Sequence, residues 1–220
     1  METNIKEIFA SIQGEGPYIG YKQLFIRFCG CNLNCNYCDT EFGINDSKKY
    51  SAEELANIIK ENLDCHSISL TGGEPLLNIK FLKEFLPKSA LPIYLETNGT
   101  LYKELAEIID YVDYVSADIK LPSSTGLNPL WEEHDKFFEI ASKKNLFAKA
   151  VFSKNVTDDE LHKTCELCKK YDIELILQPK MNGIIPDVKS DFMQKILNSC
   201  LKQYKKVRLI PQVHKFIDVQ

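Results

Sequence analysis

The sequence predicts an α/β fold: an incomplete, TIM-like barrel of parallel strands with outer helices, built as one domain over residues 1–220. Three observations predict it. Short strand-like runs alternate with helical ones almost without interruption, the pattern of a parallel sheet with right-handed crossovers. No low-complexity linker or internal repeat divides the chain, and 220 residues suit one domain with a well-buried core. A complete eight-fold barrel normally needs ~250 residues, so about six strands fit better, with the site at their carboxyl ends.

The elements follow in order. Residues 7–18 run from a short strand-like stretch into a loop with glycines on both sides of Glu15, which permit close backbone approach. Residues 23–28 form a strand that delivers Arg27 and a cysteine-rich loop from a rigid edge. Ser51-Ala52-Glu53-Glu54 is a capping box opening a helix to about Leu63, with Leu55, Ile58, Ile59 and Leu63 on its apolar face. Strand 66–71 follows. Helix 79–86 leads to strand 93–96, helix 102–109 to strand 111–117, and helix 131–144 to strand 146–152. A second capping box, Thr157-Asp158-Asp159-Glu160, opens a helix to Tyr171; strand 174–177, helix 188–201 and strand 206–210 finish the series.

Composition narrows the function classes. Hydrophobic residues make up 44% and charged residues 26%, ordinary for a soluble protein, and no apolar run approaches the ~20 residues of a membrane span. A formal charge of −4 gives no basic footprint for nucleic acid; Lys202, Lys205, Lys206 and Arg208 read as a solvated helix end. Met1 leads straight into a charged segment rather than an export signal, and eight cysteines without export signals fit a reducing compartment. The expectation is a cytoplasmic protein with neither membrane nor nucleic-acid partner.

Half of the cysteines lie within ten residues, as Cys29, Cys31, Cys35 and Cys38. From Cys31 the spacing is C-x-x-x-C-x-x-C, followed by Asp39-Thr40. A zinc knuckle is one reading, but its second ligand pair is missing; only Cys65 and His66 are near. Disulfides are another, but they belong to short secreted chains. The spacing favours a four-iron cluster held by three thiolates, leaving one iron open to an exogenous ligand and hence to chemistry. Thr71-Gly72-Gly73-Glu74-Pro75 follows the strand Ser67-Ile68-Ser69-Leu70. It reads either as a strand-to-helix turn or as a pocket in which glycine backbone and the Glu74 carboxylate meet a cationic ligand.

The three-cysteine loop and the Gly-Gly-Glu-Pro turn together resemble the radical S-adenosylmethionine superfamily. Further motifs narrow the resemblance: Glu7-Ile8-Phe9, Gln13-Gly14-Glu15-Gly16-Pro17, Arg27, Gly30-Cys31-Asn32-Leu33, Cys38-Asp39-Thr40, Glu96-Thr97-Asn98-Gly99 and Pro211-Gln212-Val213-His214-Lys215. In combination they are similar to the 7-carboxy-7-deazaguanine synthase family, over residues 7–215. The resemblance implies a radical S-adenosylmethionine core. It also implies a carbon–nitrogen lyase that converts 6-carboxy-5,6,7,8-tetrahydropterin to 7-carboxy-7-deazaguanine with loss of ammonia, on the route to queuosine. A magnesium ion, a homodimer and an electron donor such as flavodoxin or ferredoxin are implied as well.

By the same resemblance Cys31, Cys35 and Cys38 hold the cluster and Thr40 holds magnesium. Tyr37, Cys38, Asp39, Gly72, Gly73, Glu74, Gly99, Ser116, Asp118 and Lys120 meet S-adenosylmethionine, with Tyr37 lining the adenine pocket and Glu74 on the methionyl ammonium. Arg27 clamps the substrate carboxylate, while Ile12, Gln13, Gly14 and Thr97 read the pterin edges. Taken alone, Arg27 could also be a structural ion pair and Thr40 a cap of the next segment. The four histidines read as packing or surface residues. Cys29 and the Cys165-Glu166-Leu167-Cys168 pair read as packing thiols. The segment 116–120 is longer than the compact Ser-Pro-Lys of many family members, which leaves its cofactor contacts open. Two other readings remain beside this one: an activase that makes a glycyl radical on a partner protein, and a non-catalytic metal-binding module.

Overall fold

A computed structural model describes residues 1–38 and 40–219. The strands are β1 (Glu2–Ile12), β2 (Lys22–Phe28), β3 (Lys48–Ser51), β4 (Ser67–Gly72), β5 (Ile93–Thr97), β6 (Tyr114–Asp118), β7 (Asn145–Phe152), β8 (Glu174–Pro179), β9 (Met181–Asn182), β10 (Ile185–Pro186) and β11 (Val207–Leu209). The helices are α1 (Ala52–Lys60), α2 (Ile79–Phe85), α3 (Tyr102–Ile108), α4 (Pro122–Thr125), α5 (Trp131–Ala141), α6 (Asp158–Lys170), α7 (Ser190–Gln203) and α8 (His214–Ile217). Among the described residues nine strands form one sheet in the order β11-β8-β7-β6-β5-β4-β2-β1-β3, and β9 pairs with β10 in a separate hairpin.

From β2 to β11 every neighbouring pair is parallel and, apart from the inserted β3 and the β9–β10 hairpin, follows chain order, as successive right-handed crossovers require. The sheet does not close on itself; its ends are β11 and β3. It is the incomplete barrel expected, with six full parallel strands and a short seventh. The expected short first strand is instead eleven residues long and runs antiparallel to β2, with a register shift between Ile5 and Glu7. β3 pairs antiparallel with the start of β1 and extends that edge.

Side-chain alternation explains both faces. Leu24, Ile26 and Phe28, then Ile68 and Leu70, then Val115 and Ala117, then Ala148, Ala150 and Phe152 belong to the main core against the helices. The residues between them face the concave side: Phe25 and Arg27, Glu96, Ser116 and Asp118, Lys149, and Gln178 line the cleft there. At the amino end of the strands this inner face is aromatic. Tyr94, Phe147 and Ile176 are buried, and the Tyr18 ring packs edge-on against Tyr94 at 5.5 Å and Tyr114 at 4.9 Å. The open barrel is thus floored by aromatic rings and polar above them.

Both capping boxes form as read. Ser51 accepts from Glu54 N while Glu54 accepts from Ser51 N, and Thr157 and Glu160 do the same at α6. Among the described residues no helix is long and apolar enough to cross a membrane.

Candidate active site

The strand ends open into one cleft of about 900 Å³. Cys31, Cys35 and Cys38 line it, whereas Cys29 is buried, with its amide donating to Asn4 O at 3.4 Å. The loop that carries them leaves β2 through Gly30, at φ +83°. Several grips hold it. Gly30 N donates to Phe42 O (2.8 Å), and Gly30 O accepts from Glu74 N (2.8 Å). Asn32 accepts from Asn98 Nδ2 (2.8 Å) and donates to Thr100 Oγ1 (3.0 Å). Asn36 N donates to Thr125 O (2.9 Å), and the Asn36 side chain fills the space beside Gly126, where a Cβ would come within 2.2 Å of it. Lys120 Nζ reaches the Tyr37 hydroxyl at 3.3 Å.

These features suit an iron–sulfur cluster. Leu33 N and Asn98 Nδ2 lie 3.4 and 3.9 Å from Cys31 Sγ, the kind of donors that tune cluster sulfurs. Burial lifts the Cys31 and Cys35 thiols above their ordinary pKa, so metal binding must displace their protons. Among the described residues no three His, Cys, Asp or Glu side chains converge as ligands of a single ion would. A cubane asks for no such convergence, because each thiolate binds a different iron.

Gly72 and Gly73 let β4 run against the cysteine loop. A Cβ on Gly73 would fall 1.8 Å from Gly30 O, and one on Gly72, at φ +120°, 2.3 Å from Phe28 O. Their neighbour Glu74, expected on the methionyl ammonium, does not line the cleft. It is fully buried, and its carboxylate accepts from Leu76 N (3.1 Å), Thr97 Oγ1 (2.9 Å) and Asn98 N (2.8 Å), so it braces the end of β5. Burial, only partly offset by those donors, raises its pKa to about 7. Gly99 likewise lies behind the wall, its carbonyl facing His134. Asp39 lies outside the described residues.

A chain of alternating charges lines the same cleft. Lys149 pairs with Glu15 and, at 3.2 Å, with Asp118; Lys120 pairs with Asp118 at 2.7 Å. Burial alone would raise the Glu15 carboxyl, but Lys149 and the Gln212 amide pull it down to about 2. Asp118 is likewise held low against burial by Lys120 and Lys149, and burial pushes Tyr37 up to about 12. Gln178 and Gln212 donate to Glu15 Oε1 at 3.3 and 2.7 Å.

Glu15 is held in place because its flanking glycines allow contact on both sides. A Cβ on Gly14 would lie 2.5 Å from His214, and one on Gly16, at φ +67°, 2.6 Å from the Phe147 ring. Val213 N also donates to Gly14 O at 2.8 Å. The Gln-Gly-Glu-Gly and Pro-Gln-Val-His-Lys motifs, 195 or more residues apart, therefore meet as one wall.

Arg27 lies directly across from Glu7 in the β1–β2 register, and its Nε donates to Glu7 Oε1 at 2.5 Å. The guanidinium carbon stands 5.8 Å from the Phe9 ring centroid. Ile12, Gly14, Thr40, Thr97 and Ser116 also line the cleft. Gln13 lines it too, but its amide nitrogen donates to Gln23 and Glu96, both at 2.9 Å, and its oxygen accepts from Glu15 N. Its side chain is thereby tied to the Gln23 amide, the Glu96 carboxylate and the Glu15 backbone. Lys149 and Gln178 are the site residues sequence reading passed over, and Glu96 was read in a motif without a role; each is a polar residue on the inward phase of an otherwise apolar strand, which was the available signal.

Comparison with known proteins agrees with this geometry. The model of the Radical SAM superfamily matches residues 25–168. A 7-carboxy-7-deazaguanine synthase of Geobacter sulfurreducens is 38% identical over 98% of this chain and 97% of its own length. One from Archaeoglobus fulgidus is 32% identical over the whole of both. The crystal structure of QueE from Escherichia coli, 22% identical, superposes with a TM-score of 0.66 over 97% of this chain and 95% of that one, a likeness of fold. With its three-thiol loop, its open parallel barrel and full-length similarity to these enzymes, the chain belongs to the 7-carboxy-7-deazaguanine synthase family of the Radical SAM superfamily.

Proposed function

We propose that this enzyme converts 6-carboxy-5,6,7,8-tetrahydropterin to 7-carboxy-7-deazaguanine with loss of ammonia, in the cytoplasm, as a homodimer supplied with electrons by a flavodoxin or ferredoxin. The observation that carries the reading is that the three-thiol loop and Arg27 open into the same cleft. The cluster and S-adenosylmethionine would supply hydrogen-atom abstraction; Cys31, Cys35 and Cys38 would hold the cluster, and Tyr37, Cys38, Gly72, Gly73, Ser116, Asp118 and Lys120 would border the cofactor. Glu74 and Gly99 act behind that wall, bracing the turns that form it.

The protein's own work is to orient the pterin and keep its charges matched. Glu7 fixes the Arg27 guanidinium through Nε, leaving a planar fork suited to a substrate carboxylate. Backbone of Ile12 and Gly14, with Thr97, borders the space for the pterin edges. Thr40 would offer its hydroxyl to a magnesium ion, which would supply positive charge to the substrate's oxygens. Two variants test these roles. Arg27→Lys should raise the KM for the pterin about tenfold or more while S-adenosylmethionine binding stays near wild type. Thr40→Val should keep cluster and cofactor binding but lose the rate increase given by magnesium. An unchanged pterin KM in the first, or an unchanged magnesium response in the second, would remove the corresponding assignment.

A further inference from the structure

His134, on α5, is completely buried and belongs to none of the motifs that mark the family. Its Nε2 lies 3.1 Å from Lys120 N and its Nδ1 lies 3.0 Å from Gly99 O. A peptide N–H can only donate and a carbonyl can only accept, so the ring is neutral, with its proton on Nδ1. Gly99 makes this approach possible: it sits at φ +69°, and a Cβ there would come within 3.2 Å of Nδ1 and 3.3 Å of Asp118 O.

The two turns joined by His134 grip opposite ends of the cysteine loop. The turn after β5 holds Asn32 and reaches Cys31 Sγ through Asn98. The turn after β6 holds Tyr37, between Cys35 and Cys38, through Lys120 Nζ, which Asp118 steadies at 2.7 Å. We propose that His134 is a positioning residue for the cofactor site, locking these two turns in register so that both ends of the cysteine loop are held together. The proposal rests on the reading that this loop carries the cluster and S-adenosylmethionine. The histidine touches neither, and it acts through Gly99 and Lys120.

The test uses the anaerobically reconstituted full chain with His134→Leu and His134→Gln. A glutamine amide keeps one donor and one acceptor; leucine keeps neither. The leucine variant should raise the KM for S-adenosylmethionine about tenfold or more with the pterin KM within about twofold of wild type, and glutamine should recover most of the loss. Amide exchange over 97–100 and 118–121 should be about tenfold faster in the leucine variant and near wild type with glutamine. These exchange rates are independent of turnover, so they distinguish failure of the positioning role from failure of the proposed reaction. Equal losses in both variants, a uniform fall in kcat without the KM split, or unchanged exchange would overturn the proposal. Should the leucine variant not fold, ¹⁵N spectra of the wild-type imidazole decide: the Nδ1-protonated tautomer is expected near neutral pH, and an Nε2-protonated or charged ring would overturn it.

Discussion

At the residue scale, backbone contact rather than side-chain chemistry sets the tightest limits. Gly73 shows this most clearly, since any Cβ would strike Gly30 O at the root of the cysteine loop. Gly73→Ala should therefore cost about 2 kcal/mol through overpacking and displace that loop. Thermal melts and iron per chain after reconstitution check it, and a variant with wild-type melting and iron content would contradict it. The same scale separates residues that face ligand space from those that arrange them. Glu74 and Gln13 were legible in the sequence as important, but their roles were not. Whether a carboxylate or amide points into a cleft or into its wall depends on partners from other strands, here Thr97, Asn98, Gln23 and Glu96, which no local pattern encodes.

At the element scale, propensity and packing agree almost everywhere. The capping boxes at Ser51 and Thr157 are local chemistry and are found where the sequence puts them. Thr157→Ala should cost α6 about 1 kcal/mol and lower the melting temperature by roughly 2–4 °C, measurable by circular dichroism; no shift would mean the box is not stabilising. The inner faces of the strands were only partly legible. Alternation marks Lys149 in Phe147-Ala148-Lys149-Ala150-Val151 and Gln178 in β8 as facing away from the apolar core. Their meeting with Glu15 depends on Gly16 letting the first loop lie against Phe147, while Gly14 lets His214 close on its other side, contacts between segments far apart in the sequence. The length of β1 escaped detection because its period-two pattern is broken at the shift between Ile5 and Glu7.

At the scale of the whole molecule, the fold places charge on the inside and must hold it there. The run Glu15, Lys149, Asp118, Lys120 alternates in sign, so each buried ion is compensated by a neighbour. For His134 burial outweighs the Gly99 carbonyl and the Asp118 charge and lowers its pKa from 6.5 to about 4. Because the folded value is depressed, its contribution is complete above pH 6.5 and is lost as the pH falls toward 4, on the order of 3 kcal/mol. Denaturant midpoints followed across that window should drop in the wild type and drop less in His134→Gln, where nothing titrates. An identical slope in both would place the acid sensitivity elsewhere.

The central claim is that one cleft holds cluster, S-adenosylmethionine and a carboxylated pterin together for ring contraction. The most direct measurement is anaerobic incubation of the reconstituted enzyme with 6-carboxy-5,6,7,8-tetrahydropterin, S-adenosylmethionine, a reductant and magnesium, followed by mass analysis of the products. The expected products are 7-carboxy-7-deazaguanine and ammonia, dependent on every component. S-adenosylmethionine cleavage without the deazaguanine product, in an enzyme with a full cluster, would contradict it.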